Sequence, residues 1–152
     1  MKRLGCEVHD LFCDMDGNFP NHEADPTVVD NMQDLITLVK NEKLDLGIGF
    51  DGDGDRIGVV DEGGRLVFGD KLMIIYAREI LTRKSGTTFI SEVKCSQTMY
   101  EDIETHGGRA IMWHTGHSPI KKKIKEEQAE LAGEMSGHMF FKDRYFGFDD
   151  AT

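Results

Sequence analysis

Strand-like and helix-like segments alternate along the whole chain, and this alternation limits the possible folds more than any other feature. No internal repeat and no low-complexity linker interrupts the pattern. Such alternation is typical of an α/β fold, in which parallel strands are the default expectation. The composition shifts near residues 63–69, so we predict a domain boundary there that divides the chain into 1–66 and 67–152.

Local patterns place the individual elements. Asp25-Pro26 resembles an N-cap followed by proline at the first helical position, and apolar residues then recur at helical spacing, which predicts a helix near residues 26–41. Residues 44–50 predict a short apolar strand, and residues 56–68 predict a hairpin with its turn at 61–64. The later elements are predicted as a helix over 70–82, a strand over 87–93, a helix over 97–105, a strand over 109–113 and a helix from 119 to about 128.

Charge and hydropathy exclude several classes of partner. The 18 Lys and Arg against 28 Asp and Glu give a formal net charge of -10, which repels a phosphate backbone, so nucleic acid is not an expected partner. No apolar run approaches the length of a membrane span, and no signal peptide begins the chain, so no membrane partner is expected. Three widely spaced cysteines without a CxxC pair suggest neither a disulfide framework nor a zinc site, and they fit a reducing, cytoplasmic setting.

The segment Asp51-Gly52-Asp53-Gly54-Asp55-Arg56 carries the clearest chemical signal. Three carboxylates at alternate positions can converge on one hard cation if the intervening glycines let the backbone curl. A compact site with room for a phosphate oxygen suits Mg²⁺, which binds few protein groups and completes its shell with water or phosphate. Arg56 offers a planar pair of donors to the same phosphate.

An EF-hand calcium-binding module is an alternative interpretation of the same segment. Its acidic positions are matched by the three aspartates and by Glu62. However, Arg56 stands where the sharp turn of that loop needs glycine, and strand-like segments flank the loop instead of helices.

A second alternative is a phosphatase similar to the haloacid dehalogenases. Residues 11–18 resemble the signature in which an aspartate at the end of a strand attacks phosphorus, with Asp14 and Asp16 as the candidate residues. Asn18 departs from that signature, and Gly69-Asp70 lacks the second spaced aspartate that this family uses for its metal.

Four segments occur in the order found in one enzyme family. They are Asp16-Gly17-Asn18-Phe19-Pro20-Asn21-His22, the acidic segment 51–56, Thr115-Gly116-His117-Ser118 and Gly133-Glu134-Met135-Ser136-Gly137-His138. Together they cover nearly the whole chain and resemble the alpha-D-phosphohexomutases, the phosphomannomutase/phosphoglucomutase family. The resemblance implies an isomerase that moves a phosphoryl group between O6 and O1 of a hexose, through a phosphoserine and a bisphosphorylated sugar.

The resemblance also implies roles for individual residues. Asp51, Asp53 and Asp55 would hold the Mg²⁺ that also binds the phosphoserine. The implied catalytic residues are Arg56, Lys94 and His138, and the implied substrate-binding residues are Glu134, Ser136, His117, Thr115 and Gly116. Glu134 and Ser136, expected two apart in an extended loop, would contact O3 and O4 of the sugar.

The chain departs from full-length members of this family in what it lacks. Full members have four domains, and neither the serine loop of the first domain nor the carboxy-terminal phosphate-clamping loop is found here. Both ends look cut, and a helix could begin within residues 149–152. We therefore expect two incomplete Rossmann-like α/β domains with mixed, mainly parallel sheets: residues 1–66 as the C-terminal part of domain 2 and residues 67–152 as most of domain 3. The expected partner is a mannose or glucose phosphate, the isolated chain should be inactive, and truncated sheets should favour self-association.

Overall fold

The computed structural model describes residues 1–143 and 148–149. Its α-helices are Gln33–Glu42 (α1), Gly69–Arg83 (α2), Gln97–Thr105 (α3) and His117–Glu127 (α4). Its strands are Leu46–Phe50 (β1), Ile57–Asp61 (β2), Leu66–Val67 (β3), Thr88–Glu92 (β4), Arg109–Trp113 (β5), Leu131–Gly133 (β6), Met139–Phe141 (β7) and Phe148–Asp149 (β8). Short 3-10 helices span Lys2–Leu4 and Val29–Met32.

Two sheets carry the fold of the described residues. The first has the order β1-β2-β3 and is antiparallel throughout, while the second has the order β5-β4-β6-β7-β8. In the second sheet, β4 pairs parallel with β5 and β6, and β7 pairs antiparallel with β6 and β8. The mixed α/β class is confirmed, but the expected dominance of parallel pairing is corrected. Short connections join β1 to β2, β2 to β3 and β6 to β7, and a short connection can only reverse the chain.

The helix expected near residues 26–41 begins later than predicted. The Asp25 carboxylate accepts hydrogen bonds from the backbone N–H and the hydroxyl of Thr27, at 2.9 and 2.7 Å. This local turn competes with helical hydrogen bonding, so the chain enters a 3-10 helix at Val29 and the α-helix only at Gln33. The helix ends at Glu42, where Lys43 adopts a left-handed conformation with φ 54°.

The other predicted elements lie close to their expected bounds. Helix α3 and strand β5 agree at both ends, and α2, β1 and β4 agree within two residues. Helix α4 begins at His117, two residues before Pro119, which is tolerated because the first N–H groups of a helix have no intrahelical partner. Of the helix proposed within residues 149–152, Asp149 lies in β8 and the rest lies outside the described residues.

The largest apolar core joins the two sheets. Val59 of β2 belongs to the same buried cluster as Met73 of α2, Phe89 of β4 and Met139 of β7. The boundary predicted between residues 66 and 67 falls inside β3. Among the described residues, no helix has both the length and the apolar character needed to cross a membrane.

Candidate active site

The acidic loop connects the antiparallel neighbours β1 and β2. Its base is closed by a hydrogen bond of 3.3 Å from the Asp51 N–H to the Arg56 carbonyl, and Gly54 turns the chain with φ 77°. One carboxylate oxygen from each of Asp51, Asp53 and Asp55 lies within 4.8 Å of the others. Three oxygens this close could hold a single small hard cation after a small inward movement, with positions left for water or a phosphate oxygen.

Arg56 holds the first of these carboxylates in place. Asp51 is 9% exposed, and its Oδ2 accepts a hydrogen bond of 2.6 Å from Arg56 Nε. Its Oδ1 accepts from the backbone N–H groups of Gly54 and Arg56, at 3.0 and 3.1 Å. Burial acts to raise the pKa of Asp51, but the hydrogen bonds from Arg56 outweigh it, so the pKa is lowered. The carboxylate is therefore ionised at neutral pH, as a cation ligand must be.

Arg56 is shared between two carboxylates. Its Nη1 lies 3.4 Å from Asp25 Oδ1, in addition to the bond from its Nε to Asp51. Hydrogen bonding from the Thr27 hydroxyl, with smaller contributions from the Thr27 N–H and Arg56, lowers the pKa of Asp25 against the opposing effect of its burial. The guanidinium is thus fixed beside the acidic loop by the segment that precedes α1.

A tight hairpin carries the second group of candidate residues, where β6 turns into β7. Its Glu134 N–H donates to the His138 carbonyl at 3.0 Å, and the Gly137 N–H donates to the Glu134 carbonyl at 3.1 Å. The extended loop expected here is corrected to a turn, because β6 and β7 pair directly on either side of it. We refer to residues 133–138 as the Glu134 hairpin.

The Glu134 hairpin docks onto the start of β2. The Ile57 N–H donates to the Gly137 carbonyl at 3.3 Å, one residue after the acidic loop ends. Gly137 has φ 100°, and a Cβ at this position would lie 2.3 Å from the Ile57 carbonyl oxygen. A Cβ on Gly69, at the start of α2, would lie 2.2 Å from the Glu134 carbonyl oxygen. Both close approaches require glycine.

The Glu134 carboxylate faces the start of α4. The side chain is 4% exposed, its Oε1 accepts from the Gly116 N–H at 2.8 Å, and its Oε2 accepts from the Ser136 hydroxyl at 3.1 Å. Gly116 stands at the N-cap of α4 with φ 116°. An anion at this end of a helix is stabilised by the unpaired N–H groups and the helix dipole.

A fully buried carboxylate links three parts of the site. Glu92 ends β4, and its Oε1 accepts from the Met135 N–H at 2.8 Å. Its Oε2 accepts from the Thr115 hydroxyl at 2.5 Å and lies 3.4 Å from Lys94 Nζ. One side chain therefore ties together the Glu134 hairpin, the loop before α4 and Lys94.

Two histidines meet beside the acidic loop. The Nε2 atoms of His117 and His138 are 3.3 Å apart, and their rings are perpendicular with centroids separated by 4.4 Å. Nδ1 of His138 lies 3.6 Å from Asp55 Oδ1. The first residue of α4 and the residue before β7 thus converge on the last aspartate of the loop.

Comparison with known proteins identifies the family. Two family models match in succession: phosphoglucomutase/phosphomannomutase alpha/beta/alpha domain II over residues 1–64, and domain III of the same family over residues 68–152. A phosphomannomutase/phosphoglucomutase of Pseudomonas putida is 53% identical over 150 residues, which cover 99% of this chain and 32% of the relative. The chain belongs to the phosphoglucomutase/phosphomannomutase family. It spans about a third of the length of this curated relative.

Solved structures superpose on all or part of the chain. A phosphoglucomutase/phosphomannomutase family protein from Burkholderia thailandensis has a TM-score of 0.94 and 49% identity, covering 99% of this chain and 33% of its own. The N-acetylphosphoglucosamine mutase of Aspergillus fumigatus, in complex with GlcNAc-6P and magnesium, has a TM-score of 0.54 and 23% identity over 64% of this chain and 21% of its own. The second likeness supports the fold alone.

The residues that the family resemblance singled out gather into connected groups. The aspartates of the acidic loop form one group, and Asp55 connects it to His138 and His117. Glu134 forms another group with Ser136 and Gly116. Thr115 and Lys94 are both held by Glu92. Lys94 is the most exposed of the implied catalytic residues, with 60% of its side chain accessible.

Sequence reasoning did not identify Glu92. Its signal was an acidic residue at the carboxyl end of a predicted strand, a position where α/β sheets place ligand-binding groups. Its contacts reach loops 23 and 43 residues further along the chain, which no local pattern reports.

The two alternative interpretations disagree with the local structure. Strands β1 and β2 flank the acidic loop where an EF-hand needs helices, and Glu62 lies beyond the far end of β2. Residues 11–18 contain no strand for a nucleophilic aspartate to follow, and Asp16 accepts hydrogen bonds from the backbone and side chain of Asn18 as part of an exposed turn.

Proposed function

We propose that these 152 residues form the central part of a phosphohexomutase that interconverts the 1-phosphate and 6-phosphate of mannose or glucose. The observation that carries the proposal is the joining of two chemically different loops at one place. The acidic loop and the Glu134 hairpin are connected by the bond from Ile57 to Gly137 and by the 3.6 Å approach of His138 to Asp55. The proposed cation site and the proposed site for sugar hydroxyls are therefore neighbours.

Three aspartates are proposed as the ligands of Mg²⁺. When bound, the ion would neutralise negative charge on the phosphoryl group that is being transferred. Such neutralisation of charge is the main requirement of phosphoryl transfer. Asp51 is kept ionised and oriented by Arg56, whereas Asp53 is exposed at the tip of the loop. Arg56 also places a positive charge beside the proposed phosphate position, so it orients a ligand and offsets phosphate charge at once.

Recognition of the sugar is proposed for Glu134 and Ser136. A carboxylate can accept from two adjacent sugar hydroxyls, and the serine hydroxyl can donate or accept. Glu134 is oriented before substrate arrives, because the Gly116 N–H and the Ser136 hydroxyl both donate to it. A carboxylate held in this way loses little conformational entropy on binding.

Proton transfer and phosphate attraction are proposed for the remaining groups. The imidazoles of His117 and His138 lie within 3.3 Å of each other and can hold a proton close to Asp55. Lys94 is paired with Glu92 at 3.4 Å but keeps 60% of its side chain exposed, so its ammonium group can attract a sugar phosphate. Thr115 is held by Glu92, which orients the loop that leads into α4.

A segment exchange tests the function. The 150 matched residues of the Pseudomonas putida relative are replaced by those of this chain, and conversion of glucose 1-phosphate and mannose 1-phosphate is measured. We expect the chimera to be active. Within the chimera, Asp53→Asn should abolish most of this activity, whereas Glu62→Gln should retain it. A folded but inactive chimera would contradict the proposal, and so would turnover by the isolated 152 residues, which we expect to be inactive.

Self-association of the isolated chain is a separate proposal. Large apolar side chains are exposed outside the site, among them Leu4 at 78% and Met15 at 102%, and β5 is an edge strand of its sheet. Light scattering coupled to size exclusion should detect species larger than the 17.1 kDa chain. A single monomeric species at all accessible concentrations would contradict this proposal.

A further inference from the structure

Two imidazoles and a carboxylate converge where the acidic loop, the start of α4 and the start of β7 meet. One ligand atom from each of Asp55, His117 and His138 lies within 4.8 Å of the other two. We propose that these three side chains form a second cation site, for a divalent ion of the zinc class, which shares Asp55 with the three-carboxylate site. The proposal concerns metal binding by this chain and does not depend on the mutase function.

The distance between the two imidazoles agrees with this proposal. A tetrahedral zinc ion bound at about 2.0–2.1 Å to each nitrogen holds its ligand atoms about 3.3–3.4 Å apart. The Nε2 atoms of His117 and His138 are 3.3 Å apart. An N–H···N hydrogen bond between the rings would give a similar distance, so the two explanations must be separated by adding metal.

The ligand set is selective for the proposed ion. Imidazole nitrogen suits zinc, cobalt, nickel and copper, whereas Mg²⁺ takes oxygen ligands almost exclusively. Two histidines and one carboxylate also form a known type of zinc site that leaves a fourth position for water or another ligand. The three aspartates would therefore prefer Mg²⁺, and the mixed cluster would prefer zinc-class ions.

The backbone around the cluster is already fixed. His117 follows Gly116, whose N–H is bound by the Glu134 carboxylate at 2.8 Å. His138 follows Gly137, whose carbonyl is bound by the Ile57 N–H at 3.3 Å. His138 presents Nε2 to His117 at 3.3 Å and Nδ1 to Asp55 at 3.6 Å, so closing the site around one ion requires side-chain rotation on this fixed backbone.

Sharing of Asp55 predicts competition between the two sites. A zinc-class ion that takes a carboxylate oxygen of Asp55 removes one of the three oxygens available to Mg²⁺. Occupation of the mixed cluster should therefore weaken Mg²⁺ binding, and the two sites should not fill independently.

Titration of the 152-residue chain with Zn²⁺ and Co²⁺ tests the proposal. The exposed Cys6 and Cys13 are first replaced by serine, so that thiolates do not contribute. We expect each chain to bind one Zn²⁺ tightly. The variants His117→Asn and His138→Asn should each bind Zn²⁺ at least about tenfold more weakly. His106→Asn is the matched control, since His106 lies 3.3 Å from the Asp102 carboxylate but has no second imidazole beside it among the described residues. The Zn²⁺ affinity of this variant should equal that of the parent.

Further readouts distinguish the two metal sites. Asp53→Asn should lose Mg²⁺ binding but keep Zn²⁺ binding, and bound Co²⁺ should show the visible absorption of a tetrahedral ion. The proposal is overturned if the folded His117→Asn and His138→Asn variants, checked by circular dichroism, bind Zn²⁺ as tightly as the parent. It is also overturned if Asp53→Asn abolishes Zn²⁺ binding while both histidine variants keep it. If the chain binds Zn²⁺ as expected but does not bind Mg²⁺, the result contradicts the proposed mutase site and supports the zinc-class site.

Discussion

Replacement of Glu92 by glutamine tests whether one buried carboxylate organises the site. The change preserves the size of the side chain and converts one of its acceptor oxygens into a donor NH₂ group. In the parent, one oxygen accepts from the Met135 N–H and the other accepts from the Thr115 hydroxyl. After the change, the hydroxyl can rotate to accept, but only if the amide oxygen stays with Met135.

The expected cost follows from these contacts. Hydrogen bonds to a charged group contribute about 1.5–3 kcal/mol, whereas neutral ones contribute about 0.5–1.5 kcal/mol. Two such bonds are weakened, while removal of a buried charge offsets part of the loss. The ion pair with Lys94 adds little, because 60% of the lysine side chain is exposed and solvent screens it. We expect Glu92→Gln to lower the free energy of unfolding by about 1–3 kcal/mol, or about 2–4 °C in Tm for each kcal/mol.

Urea unfolding followed by circular dichroism measures this change, and amide NMR locates it. Signals from residues 115–117 and 134–138 should shift, and the Met135 N–H should exchange faster with solvent. Glu79→Gln is the control, because within the described part of the chain the Glu79 side chain makes only a helical surface pair with Arg83, so stability and these signals should stay unchanged. A Glu92→Gln variant as stable as the parent, with a protected Met135 N–H, would refute the reasoning.

Three further predictions concern other parts of the chain. Burial, with a smaller effect from nearby carboxylates, raises the pKa of the Cys95 thiol to about 12. Thiol reagents at pH 8 should therefore label the exposed Cys6 and Cys13 and reach Cys95 only after unfolding. Rapid labelling of all three cysteines would contradict this. Gly137→Ala should lower the free energy of unfolding by about 1–3 kcal/mol in chemical denaturation, because its φ is 100° and the new Cβ would lie 2.3 Å from the Ile57 carbonyl oxygen. Gly17→Ala is the control, since a Cβ at Gly17 meets open space and should leave stability unchanged. Equal stability of the two variants would contradict this. A hydrogen bond from Arg78 lowers the pKa of Asp102 below its ordinary value of 3.8. Ionised Asp102 therefore stabilises the folded chain at neutral pH, and this stabilisation is lost as the pH falls through the pKa that Asp102 has in the folded state. The Tm difference between the parent and Asp102→Asn should shrink in acid, and a constant difference would contradict this.

Local chemistry explains why much of the fold was predictable from the sequence. The predicted bounds of helix α3 and strand β5 agree with the structure because apolar spacing reflects interactions within a few residues. The start of α1 was misplaced because the Asp25 side chain holds Thr27 in a turn, and a proline at the first position could not overcome this. Parallel pairing does not dominate, because short connections reverse the chain between β1 and β2, β2 and β3, and β6 and β7.

The candidate site was only partly predictable for a different reason. The three aspartates of the acidic loop lie within one turn, so their convergence follows from local spacing and glycine content. Glu92 acts across long separations in sequence, and the 3.3 Å approach of His117 to His138 depends on the docking of two separate loops. Such contacts arise from tertiary packing, which single-sequence patterns do not contain.

The central claim is that three carboxylates hold one cation beside the Glu134 hairpin. Paramagnetic broadening of amide NMR signals by Mn²⁺, used in place of Mg²⁺, tests both the binding and its location. The account predicts that signals of residues 51–56 and 134–138 broaden first, that those of the turn at 61–64 do not, and that Asp53→Asn abolishes the effect. Broadening centred on 61–64, or equal broadening in the Asp53→Asn variant, would contradict it.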